Sequence, residues 1–284
     1  MAIVLALVAA AAYGTSDFLA GLMSRRASVF MVTAVAQGAD MLVVGVALAF
    51  TGGIADGASL LWGGVAGLGS AGGALFLYRG LARGSMSIVG PVSAVVTAAA
   101  SALAGVGFGD RPGPVTTGGV VVACVAVSLV ALTGPTRVPA REAWRALLNA
   151  TAAGIGFAIL FVGLNRASAD AGLWPVAAAT VSALLLALVG LGIALLRGHE
   201  RVASIRGVLP GGVATGVLGG GATVAYFVST HQGLLTVTAV ITSLYPAATV
   251  LLALGFLHER LHRVQVAGIA LIAVAVALMA AAQH

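Results

Sequence analysis

The chain has 284 residues, of which 60% are hydrophobic and only 8% are charged. Soluble domains carry about 25% charged residues, so this composition excludes a soluble globular protein and predicts a membrane protein. The 14 basic residues are all arginines in or near short loops, which indicates membrane topology rather than nucleic-acid binding. The single cysteine, Cys124, excludes an internal disulfide and a multi-cysteine metal site.

Charged residues and turn residues divide the chain into ten apolar stretches, each near the length of about 20 residues that crosses a bilayer. We place the predicted helices at residues 2–23, 29–50, 60–79, 86–108, 115–133, 143–164, 173–196, 207–229, 234–257 and 262–282. The loops between them are too short for a soluble domain. The sequence therefore predicts an all-α integral membrane protein with ten transmembrane helices.

The arginines are divided unevenly between two sets of loops. Twelve of the 14 lie in or beside the odd-numbered loops, and only Arg111 and Arg166 lie elsewhere. Cytoplasmic loops carry an excess of arginine and lysine. We therefore expect the odd-numbered loops in the cytoplasm, both termini outside it, and the protein in the cell inner (plasma) membrane.

The second half of the chain repeats the first. A shift of 140 residues places Gly14 on Gly154, and a shift of 149 places the pair Asp110-Arg111 on Glu259-Arg260. Because five helices is an odd number, two such copies joined by one short loop enter the membrane in opposite directions. We predict two five-helix inverted repeats, at residues 1–133 and 143–282.

Predicted helices 60–79 and 207–229 are rich in glycines spaced by four residues. Small residues at this spacing let helix backbones approach closely, which predicts tight packing within one subunit. Hinges or sliding surfaces for movement, or a dimer interface, are the alternatives.

The chain resembles the drug/metabolite transporter superfamily in its ten-helix EamA-type branch. The resemblance rests on the length, the five-plus-five organisation and a segment before the last helix, GFLHERLHRVQVAGIALIAVAVAL, with its acidic-basic pair, Gln265 and Gly268. In the weaker first-half version, Asp110 replaces the usual glutamate and Thr116 stands at the position of Gln265. The resemblance implies a secondary transporter for a small solute, and such families carry amino acids, cationic drugs, choline-like solutes, nucleotide precursors and other metabolites.

Asp17 is a carboxylate inside the first predicted helix. An ionised carboxylate in hydrocarbon is costly, and such residues often mark ion or substrate pathways. Tyr13 lies one turn away on the same face, and a ring beside a carboxylate can hold an organic cation. We predict that Asp17 binds the solute or a proton. The resemblance supports this, because small multidrug resistance proteins, four-helix relatives, use an acidic residue of their first helix for both tasks. The alternative is a structural ion pair with Arg79 or Arg83.

Asp40 is a second carboxylate within a predicted helix, and it shares a polar stripe with Thr33 and Gln37. It is our second candidate for proton coupling. A packed polar network between helices would use the same residues and is the alternative.

Pro91 and Pro246 lie inside predicted helices, where proline removes an intrahelical hydrogen bond. Freed carbonyl groups are tolerated in a membrane where they are satisfied again or line a cavity. Polar residues lie near both prolines, although simple structural kinks are the alternative. We predict a central cavity between the halves, with solute-binding residues among Tyr13, Asp17, Ser93, Thr97, Tyr226 and Tyr245.

These features together predict a secondary active transporter that moves a small metabolite, amino acid or organic cation by alternating access, with proton-coupled export. The sequence has no G-x-S-x-G, no H-E-x-x-H and no P-loop, so we predict no enzymatic activity, no catalytic residue, no metal, no cofactor and no ATP drive. An intramembrane enzyme and a passive channel are the alternatives. The expected partners are a small-molecule solute and the lipid bilayer, with no nucleic acid, and the protein is expected as a monomer or homodimer.

Overall fold

The computed structural model describes residues 1–25, 27–82, 86–131, 140–197, 205–257 and 263–282. Within these residues the structure consists of α-helices and a short 3₁₀ helix, Ala169–Ala171, and contains no strand. In chain order the α-helices are α1 (Ala2–Ser24), α2 (Val29–Phe50), α3 (Gly57–Ala82), α4 (Met86–Gly107), α5 (Pro114–Ala131), α6 (Ala140–Arg166), α7 (Trp174–Leu196), α8 (Ile205–Thr230), α9 (Leu235–Thr242), α10 (Tyr245–Leu257) and α11 (Arg263–Ala281).

Seven of the described helices are long and apolar enough to cross a membrane, namely α1, α2, α3, α4, α6, α7 and α8. Three shorter apolar segments occupy the places of the other predicted helices, at Pro114–Leu129, Leu235–Thr249 and Val266–Ala281. The predicted all-α membrane fold is confirmed. Most helix ends lie within three residues of the predicted ones, because the length of each apolar stretch fixes the helix.

The predicted helix 234–257 is interrupted at residues 243–244, and its two parts are α9 and α10. The cause is Pro246, which has no N–H to donate to the carbonyl of Thr242. Ala247 instead donates its N–H to the carbonyl three residues earlier at 2.9 Å, which starts a new helix. Pro246 thus lies in the first turn of α10, where a missing backbone donor is tolerated.

Each half packs its third helix against the first two helices of the other half. α3 packs on α6 and α7, and α8 packs on α1 and α2. A side chain at Gly67 would meet the backbone of Ala179, and one at Gly216 would meet the Cβ of Ala39 at 2.7 Å. The two glycines are 149 residues apart and the two alanines 140, so equivalent residues meet in both halves. The glycine spacing therefore serves close packing within one chain.

A second contact recurs between the first helix of one half and the fourth helix of the other. Thr249 Oγ1 on α10 donates to the Gly14 carbonyl at 2.9 Å, and Thr97 Oγ1 on α4 donates to the Gly154 carbonyl at 3.2 Å. The glycines are equivalent at the shift of 140, whereas the threonines are 152 residues apart. The halves are thus inverted repeats in which α4 is equivalent to α10 at a shift of 152 residues. The shift of 149 holds for α3 and α8 but not for these two helices.

Two further helices pack on their own equivalents, α2 on α7 and α5 on α11. α4 packs on α9, the short helix that precedes its equivalent α10. α1 also contacts α9 and α10, and α4 contacts α6, so these helices of the two halves meet one another.

One end of the bundle holds the even-numbered loops, and we call it the even-loop end. It consists of the N-terminus and residues 51–56, 108–113, 167–173 and 231–234. Several contacts join the repeats there, and two of them are made by charged side chains. The Asp110 carboxylate accepts hydrogen bonds from Thr236 N and Thr236 Oγ1, each at 2.8 Å, and the Arg166 guanidinium lies 4.8 Å from the centre of the Phe108 ring. Asp110, the acidic residue of the pair in the first half, thus accepts a hydrogen bond from a free backbone N–H in the first turn of α9. The corresponding pair of the second half, Glu259-Arg260, lies outside the described residues.

Candidate functional site

A small cavity with a free volume of about 20 Å³ lies between α1 of the first repeat and α6 and α10 of the second. Its lining consists of Tyr13, Asp17, Phe157, Leu160, Phe161 and Tyr245. This volume is room for about one water molecule, so a solute would bind here only after the surrounding helices move apart.

The aromatic rings of the cavity are held in place by one another. Tyr13 and Phe161 lie with their centroids 6.2 Å apart, and Phe157 meets Tyr245 edge to face, also at 6.2 Å. Behind the cavity, Phe161 stacks on Tyr226 at 4.3 Å. Such tilted, edge-on and stacked arrangements are the favoured ones for aromatic pairs, so the rings form fixed walls.

The tyrosine hydroxyl groups of the site bond to the surrounding protein. Tyr13 OH lies 2.8 Å from Thr223 Oγ1, and because Thr223 donates to the Gly219 carbonyl at 2.9 Å, Tyr13 is the donor of the first bond. Tyr245 OH lies 2.7 Å from Ser93 Oγ. The tyrosines therefore offer the cavity the faces and edges of their rings, while their hydroxyl groups have protein partners.

Asp17 supplies the one ionisable carboxylate of the cavity lining. It lies one turn from Tyr13 and is partly buried. Among the described residues it has no hydrogen-bond or ion-pair partner. The guanidinium of Arg79 instead lies 5.1 Å from the centre of the Phe30 ring, and Arg83 lies outside the described residues. The ion pair considered for Asp17 is thus not formed with Arg79.

Three of the predicted solute-binding residues lie behind the cavity wall rather than in it. Ser93 and Thr97 are buried on α4, where Thr97 Oγ1 also donates to the Ser93 carbonyl at 2.8 Å. Tyr226 is fully buried on α8 and donates its hydroxyl to the Phe161 carbonyl at 3.0 Å. The structure therefore brings Tyr13, Asp17 and Tyr245 together at the cavity and gives the other three a supporting position.

Sequence reasoning named no residue for the part of the lining that α6 provides, which is Phe157, Leu160 and Phe161. Two signals point to it. The phenylalanines are four residues apart and so share one helix face. Phe157 is also the equivalent of Asp17 at the shift of 140, so the repeat places both at the same depth.

Asp40 lies away from this cavity, at the contact between α2 and α8. Its side chain is 8% exposed, and its Oδ1 has no hydrogen-bond partner among the described residues. It faces Gly220, where a Cβ would lie 2.7 Å from Asp40 Oδ1. Gln37 Oε1, one turn away, is likewise buried without a partner. The polar stripe is therefore a buried patch between helices, separate from the aromatic cavity.

The described residues contain no group of three His, Cys, Asp or Glu side chains placed to hold a metal ion. The chemistry available at the cavity is therefore that of one carboxylate, four aromatic rings and an aliphatic side chain.

Comparison with known proteins adds a family and a fold. The model of the EamA-like transporter family matches residues 1–132 and 144–281. No curated protein matches the chain. Among solved structures, 24 chains match, and one described only as "Crystal structure of protein" has a TM-score of 0.76 and 19% sequence identity, covering 98% of this chain and 95% of its own. At this identity the solved structure supports the fold alone.

Proposed function

The chain belongs to the EamA-like transporter family, and from this we propose that it exports a small organic cation in exchange for protons. It is a multi-pass membrane protein of a transporter family, so its partners include a small-molecule solute and the bilayer. The class of solute, the coupling and the direction are the proposal.

The observation that carries the proposal is the carboxylate of Asp17, which has no partner among the described residues and lies among four aromatic rings. A cation over an aromatic face is attracted by the ring quadrupole, by about 2 kcal/mol or more where water is excluded. Tyr13, Phe157, Phe161 and Tyr245 provide such rings around one negative charge. Once the cavity widens, an organic cation would contact these rings and neutralise the carboxylate at once.

The lining also argues against a zwitterionic solute. The described residues of the lining include no basic side chain, and the tyrosine hydroxyl groups are already bonded to Thr223 and Ser93. The carboxylate of an amino acid would therefore lose its hydration without gaining a partner, which is costly. A cation without a carboxylate fits the site better.

Coupling to protons follows from competition for Asp17. One carboxylate can hold a proton or the cationic group of a solute, but not both at once. A proton that enters from outside displaces the cation there, and the cation displaces the proton inside. With Asp17 as the shared site, the proton gradient would drive the cation outward.

Access to the two sides would alternate as the inverted repeats exchange conformations around the cavity. The contacts at the even-loop end, such as Asp110 with Thr236, join the repeats on that side. They would have to part when the cavity opens there.

The test uses proteoliposomes that contain the full chain and an imposed pH gradient, with tetramethylammonium as the organic cation and leucine as the zwitterion. We expect saturable, gradient-dependent flux of tetramethylammonium and none of leucine. Asp17→Asn keeps the size and removes the charge, so gradient-driven flux should fall by about tenfold or more, the loss expected when at least one charge-assisted interaction disappears.

Two controls make the outcome decisive. The thermal midpoint of Asp17→Asn should equal or exceed that of the native chain, because a neutral amide costs less to bury. Asp40→Asn tests the second candidate carboxylate in the same assay. Normal flux with unchanged pH dependence in Asp17→Asn would reject the coupling role, and a product formed from a solute would show an enzyme instead.

A further inference from the structure

His231 follows the last residue of α8, and both of its ring nitrogens contact carbonyl oxygens. Nδ1 lies 2.8 Å from the Phe227 carbonyl, and Nε2 lies 2.8 Å from the Ala167 carbonyl. Phe227 is one turn earlier on α8, and Ala167 directly follows the last residue of α6. One side chain thus joins the C-terminal ends of two helices.

The two partners decide which form of the ring fits. A neutral imidazole has one N–H, so it can donate to only one carbonyl and turns a lone pair towards the other. An imidazolium has two N–H groups and donates to both. Both carbonyls belong to C-terminal ends of helices, where the helix dipoles favour a positive charge. The geometry is therefore that of the protonated side chain.

The other charged groups at this end have partners or positions of their own. Those in the described residues are the Met1 amino group, Asp56, Asp110, Arg111, Arg166 and Asp170. Asp110 accepts its hydrogen bonds from Thr236, and the Arg166 guanidinium covers the Phe108 ring. None of these carboxylates accepts a hydrogen bond from His231, so the two carbonyls are the partners of the ring.

We propose that His231 is a proton-binding site of the even-loop end, and that the bound proton holds α6 to α8 there. The ring is partly exposed, so protons from the adjoining solution can reach it. Histidine is the side chain whose charge ordinarily changes between about pH 5 and 8. Acidification on this side closes the junction, and a rise in pH loosens it.

The repeat does not reproduce this histidine in the first half. At the shift of 149 that relates α3 and α8, the equivalent of His231 is Ala82, which has no side chain able to hold a proton. The histidine junction at the C-terminal end of α8 therefore has no counterpart at the equivalent position of α3.

The size of the effect follows from the bond that is lost. Deprotonation removes one hydrogen bond between a charged donor and a carbonyl, which corresponds to about tenfold in the equilibrium between the joined and parted helix ends. Amide protection against hydrogen exchange reports such local opening.

The first experiment observes the proton itself. Histidine occurs five times in the chain, and the other four, at 199, 258, 262 and 284, lie outside the described residues. A variant with glutamine at those four positions leaves His231 as the sole histidine for ¹⁵N NMR in nanodiscs. We expect both ring nitrogens to be protonated at pH 5.5 and one at pH 8.

The second experiment observes the junction. Hydrogen exchange of residues 163–172 and 227–234, corrected for the intrinsic pH dependence, should show about tenfold lower protection at pH 8 than at pH 5.5 in the four-glutamine variant. In His231→Gln, whose amide does not titrate, protection should not depend on pH.

Each contrary outcome overturns the inference. A ring that holds a single proton at pH 5.5 shows that no imidazolium joins the helix ends. A ring that titrates while protection stays constant shows that its proton does not hold them. An equal pH dependence of protection in His231→Gln assigns the effect to another group. None of these readings requires transport, so they are independent of the identity of the solute.

Discussion

At the scale of single residues, the site separates the roles of a tyrosine ring and its hydroxyl group. Tyr13 lines the cavity with its ring and donates its hydroxyl to Thr223. Thr223 keeps its own acceptor, the Gly219 carbonyl, when that hydroxyl is removed. The ring and the hydroxyl can therefore be removed separately.

We expect Tyr13→Phe to bind tetramethylammonium about as tightly as the native chain, and Tyr13→Leu to bind it about fivefold to thirtyfold more weakly. The reason is that a ring contributes about 1–2 kcal/mol to a cation in a site that excludes water. Titration calorimetry on the purified variants measures the dissociation constants. Equal losses in both variants would show that the hydroxyl, and not the ring, recognises the solute.

Sequence reasoning could place some of these residues and not others, for a physical reason. Tyr13 and Asp17 share a face because helix geometry fixes the four-residue spacing, and Asp17 stands out in an apolar helix. Ser93 and Tyr226 lie on helices that are apolar or small on every side, so no polar face shows which way each side chain turns. In the sequence, Phe157 has the features of an ordinary core residue, and only the fold shows that α6 and α1 line the same cavity.

At the scale of helices, glycines decide how closely the repeats pack. Gly67 on α3 lies so close to α7 that a Cβ would meet Ala179 and Ser182, whereas Gly64, one turn earlier, has nothing within 4 Å. The two positions on one helix therefore form a matched pair for substitution.

We expect Gly67→Ala to destabilise the protein by about 1–3 kcal/mol, because the added methyl group forces α3 and α7 apart. Gly64→Ala should leave stability unchanged or slightly raised, since alanine is the better helix former. Thermal unfolding in detergent compares the two variants. A similar midpoint for both would contradict the close packing of α3 on α7.

The positions of the helices were open to prediction from the sequence because about 20 apolar residues must cross the bilayer. The interruption between α9 and α10 was not, although Pro246 was recognised. Proline removes one hydrogen bond wherever it stands, but Pro91 leaves α4 continuous. At Pro246 the helix is interrupted because Ala247 donates its N–H to the carbonyl three residues earlier and starts a new helix. No single residue type in the sequence predicts whether a proline interrupts its helix in this way.

At the scale of the whole molecule, the arginine distribution predicts which end faces the cytoplasm. Ser28 lies between α1 and α2 at the end rich in arginine, and Gln232 is exposed at the even-loop end. The native Cys124 can be replaced by serine to leave a background without cysteine.

In that background, Gln232→Cys should react with a membrane-impermeant maleimide on intact cells, and Ser28→Cys only after the membrane is opened. The expectation rests on the excess of arginine in cytoplasmic loops. Mass shift on a denaturing gel measures the reaction. The opposite pattern would reverse the orientation, and with it the side on which His231 meets solvent.

The hydrogen bond between Ser93 and Tyr245 has a consequence for how the molecule could move. The two residues are 152 positions apart, as are Thr97 and Thr249, so each is the counterpart of the other. When inverted repeats exchange conformations, each residue takes the place of its counterpart, so a hydrogen bond between two counterparts is kept in both conformations. This bond would act as a pivot for the movement. Weakening the pivot would change the rates of interconversion equally in both directions and leave the equilibrium between the two conformations unchanged.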